Sequence, residues 1–308
     1  MGVIEILEVK KREDYKKSYE QCEDYKKSYE QCEKNHHDKF YNFEDISKLP
    51  LPSEPYQGML RIQLLHMALL TAHIKVDGEK LRFGSGMVQR VRLARGSRCP
   101  MEKCRKEGKC HQWAIVTVST VNHVVGTHEE AANTSVKLFY NKDSQKVRKK
   151  RRKIKTLKGC KVIHTDKDIG DFDWCAFDSV THDITLARKL RGYIETLENL
   201  QKRVYDQIKD KRKEGRAMVV IVSHPHGGPK KVSVGRTVGD RETMKEVRDS
   251  QVWCRYRYDA VTCGASSGGP IFIAGQPVCG FGYWFGHPHN HAGTDGDNYS
   301  SVGVDHTL

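Results

Sequence analysis

The chain has 308 residues, a formal charge of +14 and 37% apolar residues, which suffices for one principal folded unit with an appendage. No stretch approaches the roughly 18 consecutive apolar residues of a membrane span, and MGVIEILEVKKRED lacks the apolar centre of a secretory leader, so an intracellular location is expected. In a reducing compartment the ten cysteines read as thiols or metal ligands rather than a disulfide framework, and the charge fits either solvated basic loops or an anionic partner.

The segment EDYKKSYEQC, residues 13–22, recurs unchanged at residues 23–32. A ten-residue period matches neither supercoil repeat, and branched apolar residues are scarce, so the segment reads as a solvated helix or a disordered extension. Cys22 and Cys32 occupy equivalent places and could form a redox pair. KLPLPSEP, residues 48–55, holds three prolines and reads as a linker. The expected division is residues 1–55 as a charged extension with its linker and 56–308 as a folded domain.

From Met59 an apolar helix is expected to turn into a strand within MLRIQLLHMALLTAHIKV. Short apolar or β-branched runs follow, separated by glycine and charged loops: FGSGMV (83–88), AIVTVSTV (114–121), SVKLFY (135–140), MVVIVSHP (218–225) and PIFIAGQPVCGFGYWFG (270–286). That pattern predicts a barrel or sandwich. One long helix interrupts it, because Leu190, Ile194, Leu197, Leu200, Val204 and Ile208 recur at helical spacing, with Thr181 or Asp183 as its cap and Gly215 as its stop. The run KVRKKRRKIK, Lys146 to Lys155, is either a solvated hairpin loop or a polyanion or nuclear-localisation patch.

Two short stretches carry the chemistry. CGASSGGPIF, residues 263–272, puts serines on a glycine turn that can expose a hydroxyl and aim backbone N–H groups at one point. His123 ends the apolar run AIVTVSTVNHVV, so a strand delivers an imidazole to a turn. His224 and His226 in VSHPHGG are the rival histidines.

Together these segments resemble the chymotrypsin-like (trypsin-like) serine peptidases, in particular the high-temperature-requirement branch. FGSGMV resembles the Gly-Ser-Gly strand, TVNHVV the histidine motif, VSHPHGGPKKVSVGRTV the strand and turn of the second barrel, and CGASSGGPIF the Gly-Asp-Ser-Gly-Gly-Pro nucleophile motif. The resemblance runs from about Phe83 to Val304. It implies a mainly β fold of two six-stranded antiparallel barrels, here with the N-terminal helical or coil extension and one inserted helix. It also implies a Ser-His-Asp triad in which Ser267, directly before Gly-Gly-Pro, is the nucleophile and His123 the base. Asp173, opening DWCAF, and Asp183, opening a run like Asp-Ile-Ala-Leu, compete as the carboxylate; a helix cap explains Asp183, so Asp173 is preferred. The oxyanion would be held by the N–H groups of Ala265 and Ser267.

Ser266 and Ala265 depart from the family pattern, which has Asp and Gly there, and the Cβ of Ala265 restricts the φ range that presents its N–H. Val261 aligns with the family's specificity residue and suggests an apolar or small P1 side chain. CPMEKCRKEGKCH could bind zinc through Cys99, Cys104, Cys110 and His111, although a cysteine-bearing loop is the preferred reading, and GHPHNHAGTDGD is expected to be a mobile loop. The overall expectation is a serine endopeptidase that needs no cofactor and acts on a protein or peptide. The alternatives are a catalytically weak binding module of the same fold that contacts polyanions, and a scaffold that captures partners through the repeat.

Overall fold

In the computed structural model the run QGMLRIQLLHMALL is a helix, Gln57–Leu70, because Leu60, Leu64 and Met67 recur at helical spacing and bury one face. It stops at Thr71, whose backbone turns extended and whose Oγ1 donates to the Met67 carbonyl at 2.8 Å. The structure describes residues 27–28, 30, 32, 37–53, 55–94, 98–107, 112–142, 153–165, 173–208, 216–247, 251–276, 288–291, 298–300 and 303–306. The first repeat copy and most of the basic run, residues 146–152, lie outside these, as does the expected stop at Gly215.

After a two-residue strand, β1 (Tyr41–Asn42), six strands form the first half: β2 (Thr71–Val76), β3 (Arg82–Ala94), β4 (Trp113–Thr120), β5 (Thr134–Leu138), β6 (Lys155–Thr165) and β7 (Cys175–Thr181). They pair antiparallel in the order β2-β3-β4-β7-β6-β5 and close into a barrel. Every residue of β7 is buried, and its one carboxylate, Asp178, on the face opposite the core residues Cys175 and Phe177, accepts from Thr117 Oγ1 at 2.7 Å. Within the proline-rich segment, Leu49 and Leu51 are buried in the barrel core, and Arg61 donates to the carbonyls of Ile46 and Leu49 at 3.1 and 3.2 Å.

The long helix spans Ile184–Ile208 and buries Leu186, Leu190, Leu197, Leu200, Val204 and Ile208, with Ile194 packed against the same core. It lies on helix Gln57–Leu70 and strands β3 and β4.

The second half holds β8 (Met218–Ser223), β9 (Lys231–Arg236), β10 (Glu242–Val247), β11 (Gln251–Arg255), β12 (Arg257–Tyr258), β13 (Ile271–Ile273), β14 (His289–Asn290), β15 (Asn298–Ser300) and β16 (Gly303–His306). β8 is apolar without alternation because it is buried on both faces: Val220 and Val222 face the barrel core, Val219 and Ile221 a second cluster with Tyr258 and Ile273. The four-stranded sheet runs β1-β9-β8-β13, beside two three-stranded sheets, β10-β11-β16 and β12-β15-β14.

The expectation of two closed barrels is therefore corrected to one closed barrel with open sheets among the described residues, a mixed α/β architecture. The expected strand over 270–286 is described only as Ile271–Ile273, with Pro270 bridging Pro288. Beside that bridge the His289 amide donates to the Gly269 carbonyl at 2.8 Å, and the Gly268 amide to the His289 carbonyl at 2.7 Å. His289 and Asn290 pair with β15, where the sequence suggested a mobile loop.

Candidate active site

β4 ends at Thr120, and the carbonyl of Val121 then accepts from the amides of Val124 and Val125, both at 3.1 Å. This turn buries Val124 and Val125 beneath it and leaves His123 exposed at its apex. Asp173 approaches from the start of β7, held by the buried Trp174 that follows, with a φ of 55° that Asp tolerates better than most residues. Its Oδ1 accepts from the His123 amide at 2.9 Å, and its Oδ2 lies 2.7 Å from His123 Nδ1. Asn290 Nδ2 donates to the same Oδ2 at 2.6 Å. The carboxylate thus grips the backbone and the ring of one histidine, which fixes the ring's orientation and favours the tautomer with its proton on Nδ1. A cleft of about 370 Å³ opens beside the pair, walled by Arg82, Asn122, Thr127 and Glu130.

Asp183, the competing carboxylate, does different work. Its Oδ1 accepts from the Leu186 amide at 2.8 Å and its Oδ2 from Lys155 at 2.7 Å, so it caps the long helix. The Lys155 hydrogen bond, then that of Leu186, hold its carboxyl below the usual carboxylate range.

Ser267 sits in the turn that β13 leaves, and its carbonyl accepts from the Ser85 amide at 2.7 Å. Its Oγ accepts from the His291 amide at 3.2 Å, and among the described residues no hydrogen bond joins it to His123. Ser266 is fully buried; its Oγ accepts from Ser223 Oγ at 3.2 Å and from the Cys263 amide at 3.3 Å, so that hydroxyl braces the turn. Ser266 and Gly269 amides are bonded within the turn and Gly268 donates to His289, whereas the N–H groups of Ala265 and Ser267 have no partner among the described residues. Two such amides with one residue between them are what an oxyanion hole needs.

Ala265 has a φ of 64°, in the left-handed region that favours glycine. Replacing it with glycine is expected to raise stability by about 1 kcal/mol, read as a shift in the urea midpoint.

Of the rival histidines, His224 is buried with Nδ1 2.9 Å from the Gly228 carbonyl, and burial pushes its pKa well below the ordinary value. His226 is pulled down to about 4 by burial and then by His37. Among the described residues, neither is hydrogen-bonded to Asp173, whose partners are His123 and Asn290.

Cys99 and Cys104 lie 3.4 and 3.3 Å from His182 Nε2, a residue outside the set expected to bind zinc; Cys110 and His111 lie outside the described residues. Sequence reasoning also missed Ser85 and Asn290. Ser85 lay inside a motif already singled out, and Asn290 inside a histidine-rich run that gave no sign of a strand.

Neither a protein-family model nor a curated protein sequence matches this chain. Similar solved structures include serine-protease-type proteins. The Rv3671c protease of M. tuberculosis in its inactive form has a TM-score of 0.40 at 14% identity, over 82% of this chain and 93% of that one. The HtrA-type protease AlgW with tripeptide has 0.40 at 11%, over 78% and 58%. The thermostable serine protease AL20 from an extremophilic microorganism has 0.39 at 12%, over 77% and 92%.

Proposed function

We propose that the protein is a serine endopeptidase with a chymotrypsin-like fold, in which Ser267, His123 and Asp173 act in turn. The observation that carries this reading is the double grip of Asp173 on His123, through backbone N–H and Nδ1, at the mouth of a cleft. The free amides of Ala265 and Ser267 support it.

In this mechanism His123 Nε2 takes the Ser267 hydroxyl proton as Oγ attacks the scissile carbonyl carbon. The new oxyanion accepts from the Ala265 and Ser267 amides, an interaction worth about 3 kcal/mol per donor in enzymes of this kind. The tetrahedral species collapses as His123 returns the proton to the leaving amine, leaving an acyl-serine that water, deprotonated by the same imidazole, hydrolyses. Asp173 stays ionised and stabilises the imidazolium formed in each half-reaction. Ser267 Oγ leaves the His291 amide to meet His123; catalytic hydrogen bonds of free enzymes often tighten only with substrate bound. Substrate is a protein or peptide, and an apolar or small P1 side chain follows from Val261.

Labelling with a fluorophosphonate tests the reading. Wild-type protein is expected to react, and Ser267→Ala and His123→Ala to remain unlabelled while their circular dichroism is unchanged. An unreactive wild type, or labelling that survives Ser267→Ala, would count against it.

A further inference from the structure

The second repeat copy ends in Cys32, five residues before His37. Far away in sequence, His226 sits in the short turn after β8 and Cys263 opens the nucleophile turn. The fold gathers the four, and their ligand atoms lie within 4.8 Å of one another.

The spacing of those atoms is specific. Cys32 Sγ lies 3.8 Å from Cys263 Sγ, His226 Nε2 lies 3.3 Å from His37 Nε2, and Cys263 Sγ lies 3.5 Å from His37 Nε2. A tetrahedral zinc with Zn–S near 2.3 Å and Zn–N near 2.05 Å has edges of about 3.8 Å between sulfurs, about 3.3 Å between nitrogens and about 3.5 Å between the two kinds. All three kinds of edge agree. A disulfide would instead bring the sulfurs to about 2.05 Å.

The surroundings fit the same ion. Ser28 Oγ lies 2.9 Å from His226 Nδ1, occupying that nitrogen and leaving Nε2 as the ligand atom, the outer contact that metal-bound histidines commonly make. His226 adopts φ 57° and ψ 15°, a left-handed conformation for a non-glycine residue, and its amide donates to the Gly264 carbonyl at 2.6 Å. That strained backbone is what aims the ring at Cys263. Two thiolates and two neutral imidazoles balance the charge of a divalent cation, so the occupied site carries no net charge and can be buried at Cys263 and His226.

We infer that Cys32, His37, His226 and Cys263 form a closed, structural Cys2His2 zinc site that fastens the N-terminal extension to the turn bearing Ser267. Binding displaces the two thiol protons to solvent and oxidises nothing. All four positions are taken by protein, so the ion has no open place for substrate and its role is to tie chain segments together. The site stands on its own geometry and does not depend on the proposed peptidase activity.

Metal content of the full-length protein, purified without chelator and dialysed against metal-free buffer, provides the test. Cys32→Ala and His37→Ala are expected each to hold one zinc fewer per chain than wild type; whatever the Cys99, Cys104 and His182 cluster binds cancels in the comparison. Cobalt replacement is expected to give thiolate charge-transfer and tetrahedral visible bands that weaken in the same variants. Equal zinc contents in wild type and both variants would overturn the assignment. Should those variants fail to fold, Ser28→Ala keeps all four ligands and is expected to weaken zinc affinity by about 10- to 100-fold in competition with a chromophoric chelator; unchanged affinity would then overturn it.

Discussion

Asp173→Asn is expected to slow fluorophosphonate acylation and peptide hydrolysis by about four orders of magnitude, the loss seen when a triad carboxylate becomes an amide. Asp173 has three partners, the His123 amide, His123 Nδ1 and Asn290 Nδ2, and all three require an acceptor. An asparagine can offer its oxygen to the His123 amide, but its NH2 then faces Nδ1 and the Asn290 NH2 as a donor and selects the tautomer whose Nε2 carries the proton. That ring cannot take the Ser267 proton. Asp183→Asn is expected to leave the acylation rate within a few-fold of wild type and to change stability by less than about 1 kcal/mol, because asparagine also caps a helix and only the partly exposed Lys155 ion pair is lost. Second-order acylation rates for both variants, with urea melts as the stability control, decide the matter. A large rate loss in Asp183→Asn without one in Asp173→Asn would reverse the assignment.

Gly268→Ala is expected to destabilise the protein by at least about 3 kcal/mol and to abolish labelling. Gly268 has a φ of 86°, and a Cβ there would lie 2.1 Å from the Ser85 carbonyl oxygen and 2.2 Å from Thr120 Oγ1. Both neighbours are fixed: Thr120 Oγ1 donates to that same carbonyl at 2.8 Å, and Ser85 is in the barrel wall. Nothing flexible can yield, so the turn itself must move. Gly264→Ala is the control, because no atom lies within 4 Å of the added carbon; its effect on the denaturation midpoint is expected to stay within about 0.5 kcal/mol. Equal effects at the two glycines would show that close packing does not fix this turn.

The barrel half was readable because its signals are local. Helix Gln57–Leu70 and the long helix announce themselves by period, and β4 by its run of apolar and β-branched residues. The preference for Asp173 over Asp183 came from recognising a helix cap, a contact within three residues. The second half was less readable because its strands are two to six residues long and several are held by partners far away in sequence, as β11 is by β16. Ser85 looked like one more barrel residue, since nothing in FGSGMV reveals that its amide will meet residue 267. The Cys2His2 cluster was illegible for the same reason: its four ligands come from three regions of the chain, and only Cys32 and His37 are near neighbours.

Ser85 has a further consequence. Its amide donates to the Ser267 carbonyl at 2.7 Å, its hydroxyl donates to the Ala265 carbonyl at 2.9 Å, and that hydroxyl accepts from the His224 amide at 2.8 Å. One side chain from the first half thus seams together the two segments of the second half that frame the nucleophile. A partly opened form, with the halves parted and each still folded, would lose the turn geometry at once. The reactive serine is in this sense a built-in gauge of the contact between the halves: on heating, labelling would be lost no later than barrel circular dichroism, and a form with the halves parted would show as unlabelled protein that keeps its barrel signal.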